Sequence, residues 1–189
     1  MALLAESLVE EWLNRLGFFT IRGIKHGINE VDLLGVHKEA DGSIVGRHVE
    51  VQVSFRPVGY IAKLTDDLAG AGEKRRSRSS AMARTPEQVE LCARAWVWAK
   101  YRCDAKVRVR EQLWPGATWS FDLVHAVVRE PQELTVFQRE NVHCHSFWDV
   151  ISELLQSGKG GFSGSSGGDL AEIIKYYKKA TAKGETGLV

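Results

Sequence analysis

Two short stretches of the chain carry acidic side chains at a spacing that suits metal-ion chemistry. Residues 48–54 alternate between polar and apolar side chains, which predicts a β-strand with Glu50 and Gln52 on one face and three valines on the other. Residues 29–36 form a second strand-like run that contains Asp32. An Asp-Gly pair between the two runs is a strong hairpin signal. Two antiparallel strands would therefore bring Asp32 close to Glu50, and paired carboxylates are suitable ligands for Mg²⁺.

An Asp on one strand followed by Glu-x-Gln on the next resembles the PD-(D/E)xK nuclease superfamily, which has the restriction-endonuclease-like fold. The Glu-Val-Asp-Leu-Leu run at 30–34 and the Val-Glu-Val-Gln run at 49–52 are similar to those of its Holliday-junction-resolvase-like branches. The chain departs from the family pattern at two positions, where Val31 replaces a proline and Gln52 replaces a lysine. The resemblance is close from Ala5 to Ser54 and continues further only in the order of elements.

The resemblance implies an α/β fold in which helices flank a central mixed β-sheet, with an αβββαβ core. It also implies a metal-dependent nuclease that hydrolyses phosphodiester bonds, with DNA as the expected substrate and restriction, repair or recombination as the expected setting. The alternative is a catalytically inactive nuclease-fold module that binds nucleic acid or a protein partner. A third alternative is an ordinary α/β domain in which Asp32 and Glu50 make surface ion pairs.

The site residues are carried over from the family by position. Asp32, Glu50 and the backbone carbonyl of Val51 are expected to hold Mg²⁺, for which Mn²⁺ would substitute, and Gln52 is expected beside the attacking water. A Glu on the first helix commonly faces the metal in this family, and Glu6 is the matching residue here. Glu6 equally suits a simpler role as a solvated residue on the outer face of the helix.

Gln52 has three alternative roles, because it has the reach of the family lysine without its charge. It could orient the water through a hydrogen bond. It could instead bind the metal through its amide oxygen, with Lys25 or Lys63 supplying the cation from another element. In the third alternative the site is inactive.

A basic stretch at residues 72–80 has few apolar groups, which predicts an exposed loop. Such a loop is often only solvated. Beside a nuclease site, phosphate contact is the preferred interpretation. The predicted nucleic-acid-binding residues are Lys74, Arg75, Arg76 and Arg78.

Further polar residues have simpler explanations. Asp122 lies in a strand-like run, where pairing with Arg108 or Arg110 at a sheet edge accounts for it. His143 and His145 alternate in the manner of metal ligands, but no second ligand pair accompanies them, so a transition-metal site is not predicted.

Periodicity and capping signals predict the remaining elements. Residues 4–16 have a helical apolar stripe that ends at Gly17. Thr85, followed by proline and then Gln88, marks the start of a helix that should run to about Tyr101, with Trp96 in the core. Further predictions are a short helix at 60–71, alternating runs at 107–110 and 118–128, a short strand at 134–137 and a helix at 146–155.

Composition suits one α/β domain with a small appendage: a nuclease-like domain over 1–156, a Gly/Ser linker over 157–168, and an amphipathic helix and tail over 169–189. The 25 basic and 24 acidic residues nearly cancel, so a basic surface must be local. Three unpaired cysteines and the lack of a signal peptide or membrane span favour the cytoplasm, with no membrane partner. The final helix offers a surface for a homodimer, and the oligomeric state stays open.

Overall fold

A five-stranded mixed sheet forms the centre of the computed structural model, which describes residues 2–26, 29–54, 60–63, 84–156 and 165–182. The first three strands form an antiparallel meander, and the last two add in parallel. The spatial order equals the chain order, so the third strand is central. The strands are β1 (Phe19–His26), β2 (Asn29–Lys38), β3 (Ile44–Gln52), β4 (Thr118–His125) and β5 (Val142–Ser146).

Helices cover both faces of the sheet, which confirms the α/β class and the flanked mixed sheet. A π-helical segment, Trp98–Arg102, follows the second helix directly. The α-helices are α1 (Ala2–Arg15), α2 (Pro86–Val97), α3 (Asp104–Leu113), α4 (Gln132–Arg139), α5 (Phe147–Gln156) and α6 (Ser165–Ala182). Among the described helices, none is both long and apolar enough to cross a membrane.

On one face of the sheet, the apolar stripe of α1 packs with α5 and α6. The buried residues of this cluster come from all three helices and from alternate positions of β2, β3 and β4. Helix α1 ends at Arg15, and Gly17 follows it with a φ of 88°, which favours glycine. The core of this layer includes Val9, Leu13, Leu33, Val49, Val51, Val124 and Leu154.

On the opposite face, α2 and α4 cover β4 and β5, while α3 lies against β2. Helix α2 begins with the predicted capping box, in which Gln88 and Thr85 exchange hydrogen bonds of 3.3 and 3.0 Å. Trp96 is half-buried against Phe137, with ring centroids 4.9 Å apart, as expected of a core residue. Helices α1 and α2 therefore lie on opposite faces of the sheet.

Two strand predictions were wrong. Residues 107–110 lie in α3 and residues 134–137 lie in α4. The buried positions of α3 are 106, 109 and 110, and those of α4 are 133, 136 and 137, both with helical spacing. A pattern of four residues is too short to separate a period of two from one of 3.6. The helix predicted from 60 is absent over 60–63, and its remainder lies outside the described residues.

The last helix begins at Ser165, four residues before the predicted cap at Asp169, so the linker prediction extended too far. Gly167 explains the difference, because it lies directly on α1. A Cβ at this position would overlap the Ser7 carbonyl oxygen and approach the Cβ of Glu11. The glycine therefore permits close packing of two helices instead of marking a flexible linker. Residues 157–164 and 183–189 lie outside the described part of the chain.

Candidate active site

The structure brings the two predicted acids together on adjacent strands. The β2–β3 ladder pairs Leu33 with Val49, and Asp32 and Glu50 are the next residue on each strand. The Val51 N–H donates a hydrogen bond of 2.8 Å to Asp32 Oδ2. A side chain of β2 therefore binds the backbone of β3 directly beside Glu50, which fixes the position of the Asp32 carboxyl group.

The Asp32 carboxyl group has an unusual pKa. Burial and the neighbouring Glu50 charge raise this pKa from 3.8 to about 6, although the Val51 N–H and two lysines act in the opposite direction. The effect of Glu50 shows that the two acids interact electrostatically. A pair of carboxyl groups whose ionised forms repel each other is a favourable setting for a cation.

Glu50 is fully buried, and both of its carboxylate oxygens have basic or hydrogen-bonding partners. Lys100 Nζ contacts Oε2. Lys106 Nζ lies 3.4 Å from Oε1, and His48 Nε2 lies 3.3 Å from the same oxygen. A buried carboxylate requires such partners, because its desolvation is otherwise very costly.

The two lysines at Glu50 differ in their access to solvent. The side chain of Lys100 is 28% exposed, whereas that of Lys106 is only 3% exposed and also donates to the Glu30 carbonyl. Burial opposes the charge of Lys100, but the Glu50 carboxylate outweighs it and raises the pKa of Lys100. Lys25 and Lys63, the cations considered from sequence, are exposed, and the cations found at Glu50 are Lys100 and Lys106 instead.

Lys100 reaches the site from the π-helical segment. The Cys103 N–H bonds to the Trp98 carbonyl at 2.8 Å, five residues back, which defines the wider turn. The turn directs Tyr101 into the core and Lys100 towards Glu50. Such π-helical turns occur frequently at functional sites. One sequence signal could have identified Lys100, since it lies three residues after the buried Val97 and so continues the inner stripe of α2.

Glu6 lies on α1 within electrostatic reach of the site. Burial and the Asp32 charge raise the pKa of Glu6, whereas Arg22 lowers it. This coupling favours the site-facing alternative for Glu6 over a purely solvated role. Asp32 and Glu50 thus lie side by side on β2 and β3, and Glu6 on α1 is coupled to them electrostatically.

Gln52 ends β3 and is exposed, opposite His125 in the parallel β3–β4 ladder. Alternation suggests that the other polar residues on the Gln52 face of β3 are also exposed, but they are not. His48 and Glu50 are both fully buried beneath the α2–α3 layer, because the sheet is covered on both sides. Only the end of the strand at Gln52 keeps its polar side chain accessible.

Asp122 belongs to a second polar cluster on the α1 side of the sheet. It forms a two-pronged ion pair with Arg47 and a 2.8 Å hydrogen bond with His145 Nε2. Burial raises the pKa of Asp122, but these two partners outweigh it and lower the pKa overall. Pairing with Arg108 or Arg110 at a sheet edge was wrong, because β4 is internal and both arginines lie on α3.

Within the described residues, no group of three or more His, Cys, Asp or Glu side chains is arranged to hold a metal ion. His143 and His145 both lie near Asp122 Oδ1, at 3.7 and 2.8 Å, but Arg47 occupies both oxygens of that carboxylate. Asp32 and Glu50 form a pair of acids, and Mg²⁺ often uses only one or two protein carboxylates with water as its other ligands.

Comparison with protein-family models, curated proteins and solved structures finds no match to this chain. The nuclease resemblance therefore depends on the short motif and on the geometry around Asp32 and Glu50. The predicted nucleic-acid-binding residues Lys74, Arg75, Arg76 and Arg78 lie outside the described residues.

Proposed function

We propose that this chain is a metal-dependent nuclease of the restriction-endonuclease-like fold that hydrolyses phosphodiester bonds in DNA. The observation that carries the proposal is the pairing of Asp32 with Glu50 on adjacent strands, with Lys100 on Glu50. The element order adds support. A helix, a three-strand meander, a helix and a parallel strand follow one another as in the αβββαβ core of that family.

Asp32, Glu50 and the Val51 carbonyl are the residues that would hold Mg²⁺ or Mn²⁺. Their oxygen chemistry fits such an ion, and the mutual repulsion recorded in the raised pKa of Asp32 is what a cation would relieve. A bound divalent ion supplies charge neutralisation at the scissile phosphate and lowers the pKa of a bound water.

Lys100 takes the place of the lysine that the Glu-x-Gln motif lacks. Its ammonium group lies at Glu50 and is partly exposed, so it can face a substrate phosphate while remaining paired. Lys106 is buried between Glu30 and Glu50, which suits it to holding the carboxylate in place. Gln52, exposed at the end of the same strand, can hydrogen-bond to substrate or water without supplying charge.

The ion pairs at Glu50 also favour a second candidate function. Two lysines already balance this carboxylate without any metal, which is compatible with an inactive nuclease-fold module that binds nucleic acid. The two functions differ in metal affinity. A nuclease site must bind a divalent ion, whereas a binding module does not need one.

Calorimetric titration with Mn²⁺, followed by cleavage assays on plasmid and branched DNA in Mg²⁺, tests the proposal. The unmodified chain should bind Mn²⁺ and cleave at least one substrate, and Glu50→Gln should do neither. Lys63→Gln is the control, because Lys63 is exposed and the lysines paired with Glu50 are Lys100 and Lys106. Retained DNA binding without Mn²⁺ binding or cleavage would identify the chain as a binding module instead.

A further inference from the structure

A hydrogen-bonded chain of side chains leads from the helical layer to Glu50. Arg110 Nη1 lies 2.8 Å from the Tyr101 carbonyl oxygen and 2.9 Å from His48 Nδ1. His48 Nε2 in turn lies 3.3 Å from Glu50 Oε1. His48 and Glu50 are fully buried, and Arg110 is 6% exposed. The chain is therefore shielded from water over its whole length.

The donors and acceptors in this chain have only one consistent assignment. A guanidinium group can only donate, so His48 Nδ1 must accept the hydrogen bond from Arg110. A neutral imidazole has a single N–H, which is then on Nε2 and points at Glu50 Oε1. Arg110 at Nδ1 and the acceptor-only Glu50 carboxylate at Nε2 thus select the same tautomer of His48, which presents a donor to the carboxylate.

We propose that His48 and Arg110 are positioning residues for Glu50. They hold Oε1 by a hydrogen bond that does not depend on a metal, while Oε2 contacts the more exposed Lys100. This role deepens the proposed function and rests on it, because it gives Glu50 its orientation as a metal ligand. Hydrogen bonds from neighbouring side chains to a metal-ligating residue generally tune the affinity of a site for its metal.

The position of His48 in the core argues against a role in packing alone. Its ring contacts Tyr101 and Phe121 edge-on, with centroids 4.9 and 6.3 Å away, as an apolar side chain also could. An apolar residue at this position would avoid the desolvation of an imidazole. It would also remove one of the two buried partners of Arg110 Nη1, which would keep the Tyr101 carbonyl, and one of the two partners of Glu50 Oε1, which would keep Lys106.

The first test is the imidazole tautomer in the metal-free protein at pH 7. Nitrogen-15 NMR of the full chain should show His48 with a protonated Nε2 and an unprotonated Nδ1. Arg110→Met removes the donor to Nδ1 but leaves the acceptor-only Glu50 carboxylate at Nε2, so the Nε2-protonated form should persist in this variant. A protonated Nδ1 on His48 in the unmodified chain would overturn the proposal, whatever the metal affinity is.

The second test compares Mn²⁺ affinities by calorimetry in variants whose folding is checked by circular dichroism. His48→Leu should weaken binding about 10- to 100-fold, the usual cost of losing a hydrogen-bond partner of a metal ligand. His48→Gln, which keeps a donor and an acceptor, should stay within a few-fold of the unmodified chain. His37→Leu is the matched control, because His37 lies on β2 and contacts the Gly17 carbonyl.

The outcomes separate the two proposals. If the unmodified chain binds Mn²⁺ and His48→Leu binds it equally well, the positioning role is wrong while the proposed function stands. If the unmodified chain does not bind Mn²⁺, the proposed function fails, and the role assigned to His48 at a metal ligand fails with it. If His48→Leu does not fold, His48→Met takes its place as the apolar variant. An equal loss of Mn²⁺ affinity in His48→Gln and His48→Met would then overturn the proposal.

Discussion

At the scale of single residues, the lysines that pair with Glu50 are distant from it in sequence. Lys100 and Lys106 lie 50 and 56 residues beyond it in sequence. The acids could be predicted, because alternation and a hairpin turn place Asp32 and Glu50 side by side from local signals alone. The stripe of α2 indicates only that Lys100 faces inwards, and the pairing of either lysine with Glu50 could not be predicted, because it depends on how a helical layer packs over the sheet.

The first prediction concerns the exchange of a cation between two positions, and it rests on the proposed nuclease activity. Lys100→Gln should lower the cleavage rate about 10²- to 10³-fold, the usual cost of removing one group that stabilises transition-state charge. Gln52→Ala should have a much smaller effect, because Gln52 has no charge. The double variant Lys100→Gln with Gln52→Lys should recover part of the rate.

Plasmid cleavage in Mg²⁺ measures the rates of all three variants, and Lys63→Gln is the control. A Lys100→Gln variant as fast as the unmodified chain would remove Lys100 from the mechanism.

The second prediction concerns Asp32 and pH. Its pKa is about 6 in the folded protein against an ordinary 3.8, so the ionised form is disfavoured by folding, by on the order of 3 kcal/mol. The contribution of Asp32 to the free energy of unfolding is therefore fully present below pH 3.8 and is lost as pH rises through 6. Asp32→Asn removes the charge but keeps an acceptor for the Val51 N–H. Its stabilisation should be large at pH 8 and should shrink as pH falls towards 4.

Urea unfolding at pH 8 and pH 4.5 measures this difference. Asp41→Asn is the control, because hydrogen bonds from Ser43 lower the pKa of that exposed carboxyl group, so its loss brings no gain at pH 8. A gain for Asp32→Asn that is equal at both pH values would show that burial and Glu50 do not raise the pKa of Asp32 in the folded protein.

At the scale of elements, capping and turn signals gave correct predictions, short alternating runs did not, and features that depend on distant contacts were missed. The capping box at Thr85 and the Asp-Gly turn identified α2 and the β2–β3 hairpin, because each signal lies within four residues of the structure that it forms. The π-helical turn at 98–102 has no such local mark. The start of α6 was also missed, because Gly167, which indicates a linker in isolation, is explained here by its contact with α1.

The third prediction tests that contact. Gly167→Ala adds a methyl group that overlaps the Ser7 carbonyl oxygen, so α6 must shift away from α1. The chain should lose about 1–3 kcal/mol of stability, the usual cost of overpacking. Glu172→Ala, on the exposed side of the same helix, is the control. If Gly167→Ala is more stable than the unmodified chain, helix propensity outweighs packing here and the close contact is absent.

At the scale of the whole molecule, covering both faces of the sheet forces polar residues into buried clusters. Glu50 with its lysines lies on one face and Asp122 with Arg47 on the other. A third buried pair, Arg84 with Glu133, connects distant parts of the chain, and both side chains are 0% exposed. Alternation and periodicity cannot predict such clusters, because they report which residues could be solvated and not which layer will cover them.

The Glu133 cluster holds together the chain on both sides of residues 64–83. Glu133 accepts hydrogen bonds from the Ile61 and Ala62 N–H groups at 3.1 and 3.0 Å, and from Arg84 at 2.9 Å. Arg84 also donates to the Ala62 carbonyl at 2.6 Å. One side chain on α4 therefore fixes the chain just before this segment and just after it.

The fourth prediction follows from the burial of this pair. Glu133→Gln keeps the shape and an acceptor but leaves the Arg84 guanidinium as an uncompensated buried charge, which should cost about 3–5 kcal/mol. Glu90→Gln breaks the pair between Glu90 and Arg94, whose side chains are 38% and 57% exposed, and should cost less than about 1 kcal/mol. Urea unfolding of both variants at one pH gives the comparison. The two ion pairs differ in burial and not in type, so equal losses would mean that water reaches Arg84 in the folded protein.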